Sequence, residues 1–157
     1  MKRLGARDLV LPFLLVGLIA YALLRANYDS IPPLNYGIAV PLGALALLEL
    51  VAGRRVRAAV NHHPDAKPME AIAIARCVAL GRASSLVGSG LVGAAVAVLV
   101  RVIPTAGTVR AAAADLRVAL VIAAVSVALT VAGLLLEHAG IDPGSRGDRP
   151  IGNPRET

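Results

Sequence analysis

The amino-acid sequence predicts an all-α integral membrane protein. It predicts four transmembrane helices in an antiparallel bundle, with the third extended into the cytoplasm. Three observations carry this. Hydrophobic residues make up 57% of the 157-residue chain, above the roughly 45–50% apolar content of ordinary soluble domains. They are gathered into four long blocks. Between the blocks, Lys and Arg alternate in density from one connection to the next, as they do in multi-pass proteins.

The first block, LVLPFLLVGLIAYALL, lies between Arg7-Asp8 and Arg25. It is shorter than the roughly 20 residues that cross a bilayer core. Its flanking arginines can snorkel to the interface, so the predicted span is 8–27. The basic start Lys2-Arg3 suits a signal peptide, but RANYDSIPPLNY holds no A-x-A cleavage site. A retained helix is expected.

The second span is predicted at 34–53. It contains Pro41 and Glu49, and a kink is expected near the proline. The stretch VNHHPDAKP is turn chemistry. After Pro68, MEAIAIARCVALGRASS reads as helix, with Glu70 in its first turn. No strong breaker separates it from the third apolar block, 83–103. One helix from 68 to 103 is expected, about four turns longer than the bilayer core. The connection TAGTVRAAAADLR offers Thr108 as an N-cap, and the fourth span is predicted at 116–136. The membrane domain is then 1–138. The tail 139–157, rich in Gly, Pro and charge, is expected to be a disordered cytoplasmic segment.

Orientation follows from the basic residues. Twelve lie at the N-terminus, between the second and third blocks, or in the tail. Four, Arg25, Arg101, Arg110 and Arg117, lie on the other side. The positive-inside rule places both termini in the cytoplasm and the protein in the plasma membrane. An even number of spans agrees with that. The net charge of +6 is expected to face anionic lipid headgroups. No nucleic-acid motif or aromatic stacking platform accompanies it.

The stretch LLELVAGRRVR, Leu47 to Arg57, places an acid inside an apolar run. A glutamate one turn inside a membrane is costly unless paired or hydrated. Basic and acidic residues from other helices share its leaflet. The expected site is an inner-leaflet polar cluster of Glu49, Arg57, Arg76, Arg82, Glu137 and His138. It would bind an anionic headgroup or small polar ligand, or act as a structural ion pair. In GRASSLVGSGLVGAAVA, Gly81, Ser85, Ser89, Gly93 and Ala97 recur every four residues, with Ser84 and Gly88 as a second small edge. Such a surface admits a close helix partner, either within the chain or in another subunit. Helix four, with Ala119, Ala123, Ser126, Thr130 and Gly133, is a natural mate.

His62, His63 and Asp65 are too few and too local for a metal site, and no cofactor is expected. Cys77, the single cysteine, reads as a small apolar residue. No catalytic constellation is visible, so a non-enzymatic accessory or interaction subunit is the leading expectation. A small transporter or an anionic-ligand or lipid-binding subunit acting as an oligomer is the alternative. Expected partners are membrane lipid, a membrane protein or further copies of the chain.

Several segments together resemble a known family. They are RDL near the start, the Pro pair in SIPPLNY, the Glu49-to-Gly53 end of the second helix with R-x-R at Arg55 and Arg57, and AIARCVALGRASSLVG. The chain is similar, up to about Glu137, to an actinobacterial family of small four-helix membrane proteins of unknown function. Its usual A-R-x-x-A-L-x-K-A-S motif carries lysine where Arg82 stands here. The resemblance implies the four-helix topology and a gene commonly found near folate-biosynthesis enzymes. It implies no catalytic or binding residue.

Overall fold

The computed structural model describes residues 5–27, 35–60 and 70–140. The expected loop at Tyr28 to Pro33, the turn holding His62 and His63, the Pro68 helix start and the tail beyond Gly140 lie outside the described residues. Those described form four long helices: α1 (Ala6–Asn27), α2 (Ala39–Val60), α3 (Ala71–Val102) and α4 (Arg110–Ala139). All four are long and apolar enough to cross a membrane.

α1 matches the predicted span closely. Asp8 accepts a hydrogen bond from the Gly5 backbone N–H at 2.9 Å, which caps the helix start and places an acid in its first turn. α2 departs from expectation at both ends. A 3-10 turn, Tyr36–Ile38, precedes it, capped by Asn35 Oδ1 accepting from Gly37 N. The α-helix begins only at Ala39, so Pro41 falls in its first turn, where the missing N–H has no intrahelical acceptor to lose. Pro41 therefore starts the helix, which corrects the kink expected there. At the other end α2 continues to Val60, seven residues past the predicted span, and carries Arg54, Arg55 and Arg57 on the helix.

α3 has 32 residues, about 48 Å at 1.5 Å per residue, against a core of about 30 Å. Its N-cap is Glu70, whose side chain makes no cap bond. The Glu70 carbonyl accepts from Ala73 and Ile74 instead. A 3-10 turn at Ile103–Thr105 ends it. Thr108 is not the N-cap of α4: its hydroxyl donates back to Thr105 O at 3.1 Å, and Val109 takes the cap position without a side-chain bond.

The helices lie in the order α1, α3, α4, α2. α1 packs on α3, α3 on α4, and α4 on α2, with slight contact between α2 and α3. Among the described residues no Cα of α1 comes within 8 Å of α2 or α4, so the four-helix layer is open along one side. Matching depths give the directions. Gly17 meets Gly93, and Val16 meets Gly90, so α1 and α3 run parallel. Ala39 sits with Val118 and Ile122, and Ala46 with Leu129 and Ala132, so α2 and α4 also run parallel. α3 and α4 are antiparallel, with Gly81 against Gly133 and Gly88 against Ser126 and Thr130. Successive helices thus alternate in direction as predicted. Extensive antiparallel contact is limited to the central pair, beside the slight α2–α3 contact, because each flanking helix pairs mainly with the helix two places on.

Two ends follow from this layout. The turn end holds the α3–α4 connection. The basic end holds Arg54, Arg55 and Arg57 of α2 and the start of α3.

Candidate functional site

The small-residue row of α3 is consumed inside the chain. A Cβ built on Gly133 would lie 2.5 Å from Gly81 O and 2.8 Å from Ser85 N, so the α3 and α4 backbones touch there. A Cβ on Gly93 would run into the Phe13 carbonyl of α1. One row serves two neighbours for a geometric reason. Four residues advance about 400°, or 40° past a full turn, so three steps from Gly81 to Gly93 swing the row by about 120°. Gly81 and Ser85 face α4, and Gly93 faces α1. Ser85 and Ser89 are buried, and their hydroxyls donate to Arg82 O and Leu86 O on their own helix.

Glu49 is 1% exposed. It lies on the buried face of α2 with Ala46, Gly53 and Val56, residues spaced three and four apart. Ala46 packs on Leu129 and Ala132, and Gly53 on Leu136, so the acid enters the seam beside α4 between those levels. From α3, the Ser84 hydroxyl is turned toward the carboxyl. It does not close a hydrogen bond, and both carboxylate oxygens are buried without one. Glu137, at 3% exposure, is buried one turn nearer the basic end, where Gly81 approaches its backbone.

The expected bases are elsewhere. Arg57, Arg76, Arg82 and His138 are all exposed. No ion pair joins Glu49 to any of them among the described residues. The reason lies in the α2 pattern. Arg54 and Arg55 occupy the faces away from the Ala46–Glu49–Gly53–Val56 stripe, while Arg57, about 80° around from Glu49 and two turns on, stands exposed at the stripe's edge. The structure therefore separates the six residues into two buried acids and four exposed bases. His138 Nδ1 is bonded to Leu134 O at 2.7 Å, which turns Nε2 away from its own helix.

Sequence reading did not pair Ser84 with Glu49. They are 35 positions apart on helices with little mutual contact, and no spacing rule joins them. Ser126 has, in the sequence, only the signature of a small packing residue. It is fully buried, and its Oγ has no hydrogen-bond partner, while its carbonyl accepts from Thr130 Oγ1 at 2.8 Å. Among the described residues no group of three or more His, Cys, Asp or Glu side chains comes together as a metal site would require.

Two apolar slots flank the α3–α4 pair. One, of about 310 Å³, lies toward the turn end between α1 and the 3-10 turn, and includes Leu24, Ile38, Leu91 and Ala95. The other, of about 270 Å³, lies toward the basic end between α1 and α4, over α3.

Fold and sites together define an all-α protein of the multi-pass membrane class, built as an open four-helix layer. The chain belongs to the family described as Protein of unknown function (DUF3180), whose profile matches residues 9–143. No curated protein and no solved structure matches it.

Proposed function

We propose that this is a non-enzymatic accessory or interaction subunit of the plasma membrane, with both termini in the cytoplasm, that docks a membrane-protein partner or a second copy. The observation that carries the reading is the exposed face of α3 at the basic end. Ile72, Ala75, Ala79 and Leu80 are exposed there, Ile72 at 64%. They lie on one side of the helix with the exposed Arg76 among them, on the stretch by which α3 outruns a bilayer. Apolar side chains beyond the hydrocarbon core face water unless covered. The small-residue row does not serve this purpose, being occupied within the chain. The buried hydroxyls of Ser85 and Ser89 are satisfied on their own helix, which suits packing rather than chemistry.

The test is site-directed crosslinking in native membranes. Ile72→Cys and Ala79→Cys are placed singly in a Cys77→Ser background, with lipid-facing Leu47→Cys as a control. The reading expects a defined adduct from the α3 positions alone. Monomer at every position, with the fold intact, counts against it.

A second reading, a small transporter working as an oligomer, draws on Glu49, a carboxyl within a span without a hydrogen-bond partner. Intramembrane acids often mark ion or substrate paths. Transport of a small solute in proteoliposomes that stops on Glu49→Gln would favour it.

A further inference from the structure

We propose that the slot between α1 and α4 at the basic end is a binding site for one anionic phospholipid, with an acyl chain in the slot and the headgroup phosphate at Arg82 and His138. The slot exists because α1 and α4 both pack on α3 and not on each other. Its walls are Leu9 and Phe13 of α1 and Val127 and Val131 of α4, with Ser89 and Val92 of α3 among its lining. Ser89 and Thr130, its two hydroxyl-bearing residues, already donate to their own backbones at 2.8 Å. The lining therefore asks for no hydrogen bond, which suits a hydrocarbon chain and not a polar ligand.

The headgroup supplies the preference. Lipid tails are as apolar as the slot, so burying one gains little over bulk bilayer. Selectivity has to come from charge. Arg82 lies seven residues before Ser89, and His138 seven after Val131. Each is about 10 Å toward the basic end from the slot, and each is within about 50° of its helix's slot-facing direction. Both are exposed; Glu49 lies in the α2–α4 seam, and Glu137, beside His138, is buried where α4 meets Gly81 of α3. A chain seated in the slot brings its phosphate to their level. This site does not depend on the docking face at Ile72–Leu80.

The experiment is native mass spectrometry of the full chain released from nanodiscs of equal phosphatidylglycerol and phosphatidylcholine. Retention of one phosphatidylglycerol per chain is expected. Arg82→Gln should lower that retention roughly fivefold, and Arg82→Gln with His138→Gln further. Arg54→Gln with Arg55→Gln, which removes charge from the same end away from the slot, should leave it unchanged. Val131→Phe fills the slot from α4, and Val10→Phe fills it independently from α1. Either one, if folded, should expel the lipid. Equal loss from the Arg54/Arg55 control, undiminished retention in a folded slot-filling variant, or no preference between the two lipids overturns the proposal. So does a second protein chain found in place of the lipid.

Discussion

Replacing Gly133 by alanine tests the central helix contact most directly. The added Cβ would stand 2.5 Å from Gly81 O and 2.8 Å from Ser85 N, where ordinary contact begins at 3.4 Å. The shortfalls are 0.9 Å and 0.6 Å, and both obstacles are backbone, so no rotamer change relieves them. α3 and α4 must part locally by most of an ångström. A gap of 0.5–1 Å forfeits a quarter to a half of each van der Waals well along the seam. Overpacking of this kind costs about 1–3 kcal/mol. Alanine returns up to about 1 kcal/mol of helix propensity over glycine. With rigid atoms on both sides the cost wins, and Gly133→Ala should be destabilised by about 1–2 kcal/mol. Gly43→Ala is the matched control. Its Cβ would meet only Val125 Cγ1, at 3.8 Å, so propensity acts alone and stability should rise by up to about 1 kcal/mol. Reversible unfolding in mixed micelles, followed by circular dichroism, measures both. If Gly133→Ala is as stable as the parent, or gains as much as Gly43→Ala, the close approach of α3 and α4 is wrong.

Three further outcomes are expected. Glu49→Leu should be neutral or stabilising by about 1–3 kcal/mol, because it removes buried oxygens that lack partners, while Glu49→Gln keeps a polar group there and gains less; the same unfolding assay ranks them, and a Leu variant weaker than the Gln variant would show that the carboxyl has a binding partner. Leu129→Ala empties a fully buried position against α2 and should cost about 1–3 kcal/mol, below the usual soluble-protein range because lipid tails offer the displaced helix an equally apolar alternative. Thr108→Cys in a Cys77→Ser background should react with an impermeant maleimide added to intact cells, and labelling only after lysis reverses the proposed orientation.

Helix count and approximate limits were legible in the sequence because a bilayer demands long uninterrupted apolar stretches. The order α1, α3, α4, α2 was not. Lipid-facing and protein-facing positions are both apolar, so hydropathy does not name neighbours. Only the glycines break that symmetry, and they did mark the contact surfaces. The drift of a four-residue row around the helix, which divides Gly81 and Gly93 between two neighbours, becomes plain once both neighbours are known. Glu49 is a similar case. The small residues Ala46 and Gly53 on its face foreshadow a buried stripe, yet a shared leaflet alone points the acid to Arg57, Arg76, Arg82 and His138. Arg57 lies about 80° around the helix and two turns on, and Arg76 and Arg82 are exposed on α3. The Thr108 cap failed for a local reason: its hydroxyl found Thr105 O first, the competition that makes Thr ambiguous near helix starts.

The spatial order α1, α3, α4, α2 also bears on how the chain is made. The first two helices to leave the ribosome share no contact, so an early α1–α2 pair has nothing in the finished fold to stabilise it. α1 finds its neighbour when α3 arrives, and α2 must wait for α4. The seam that receives Glu49 does not exist until α4, the last helix synthesised, is in place. Assembly of α2 is therefore a late event governed by α4, and a chain that ends before α4 would hold an α1–α3 pair with α2 left without its main neighbour.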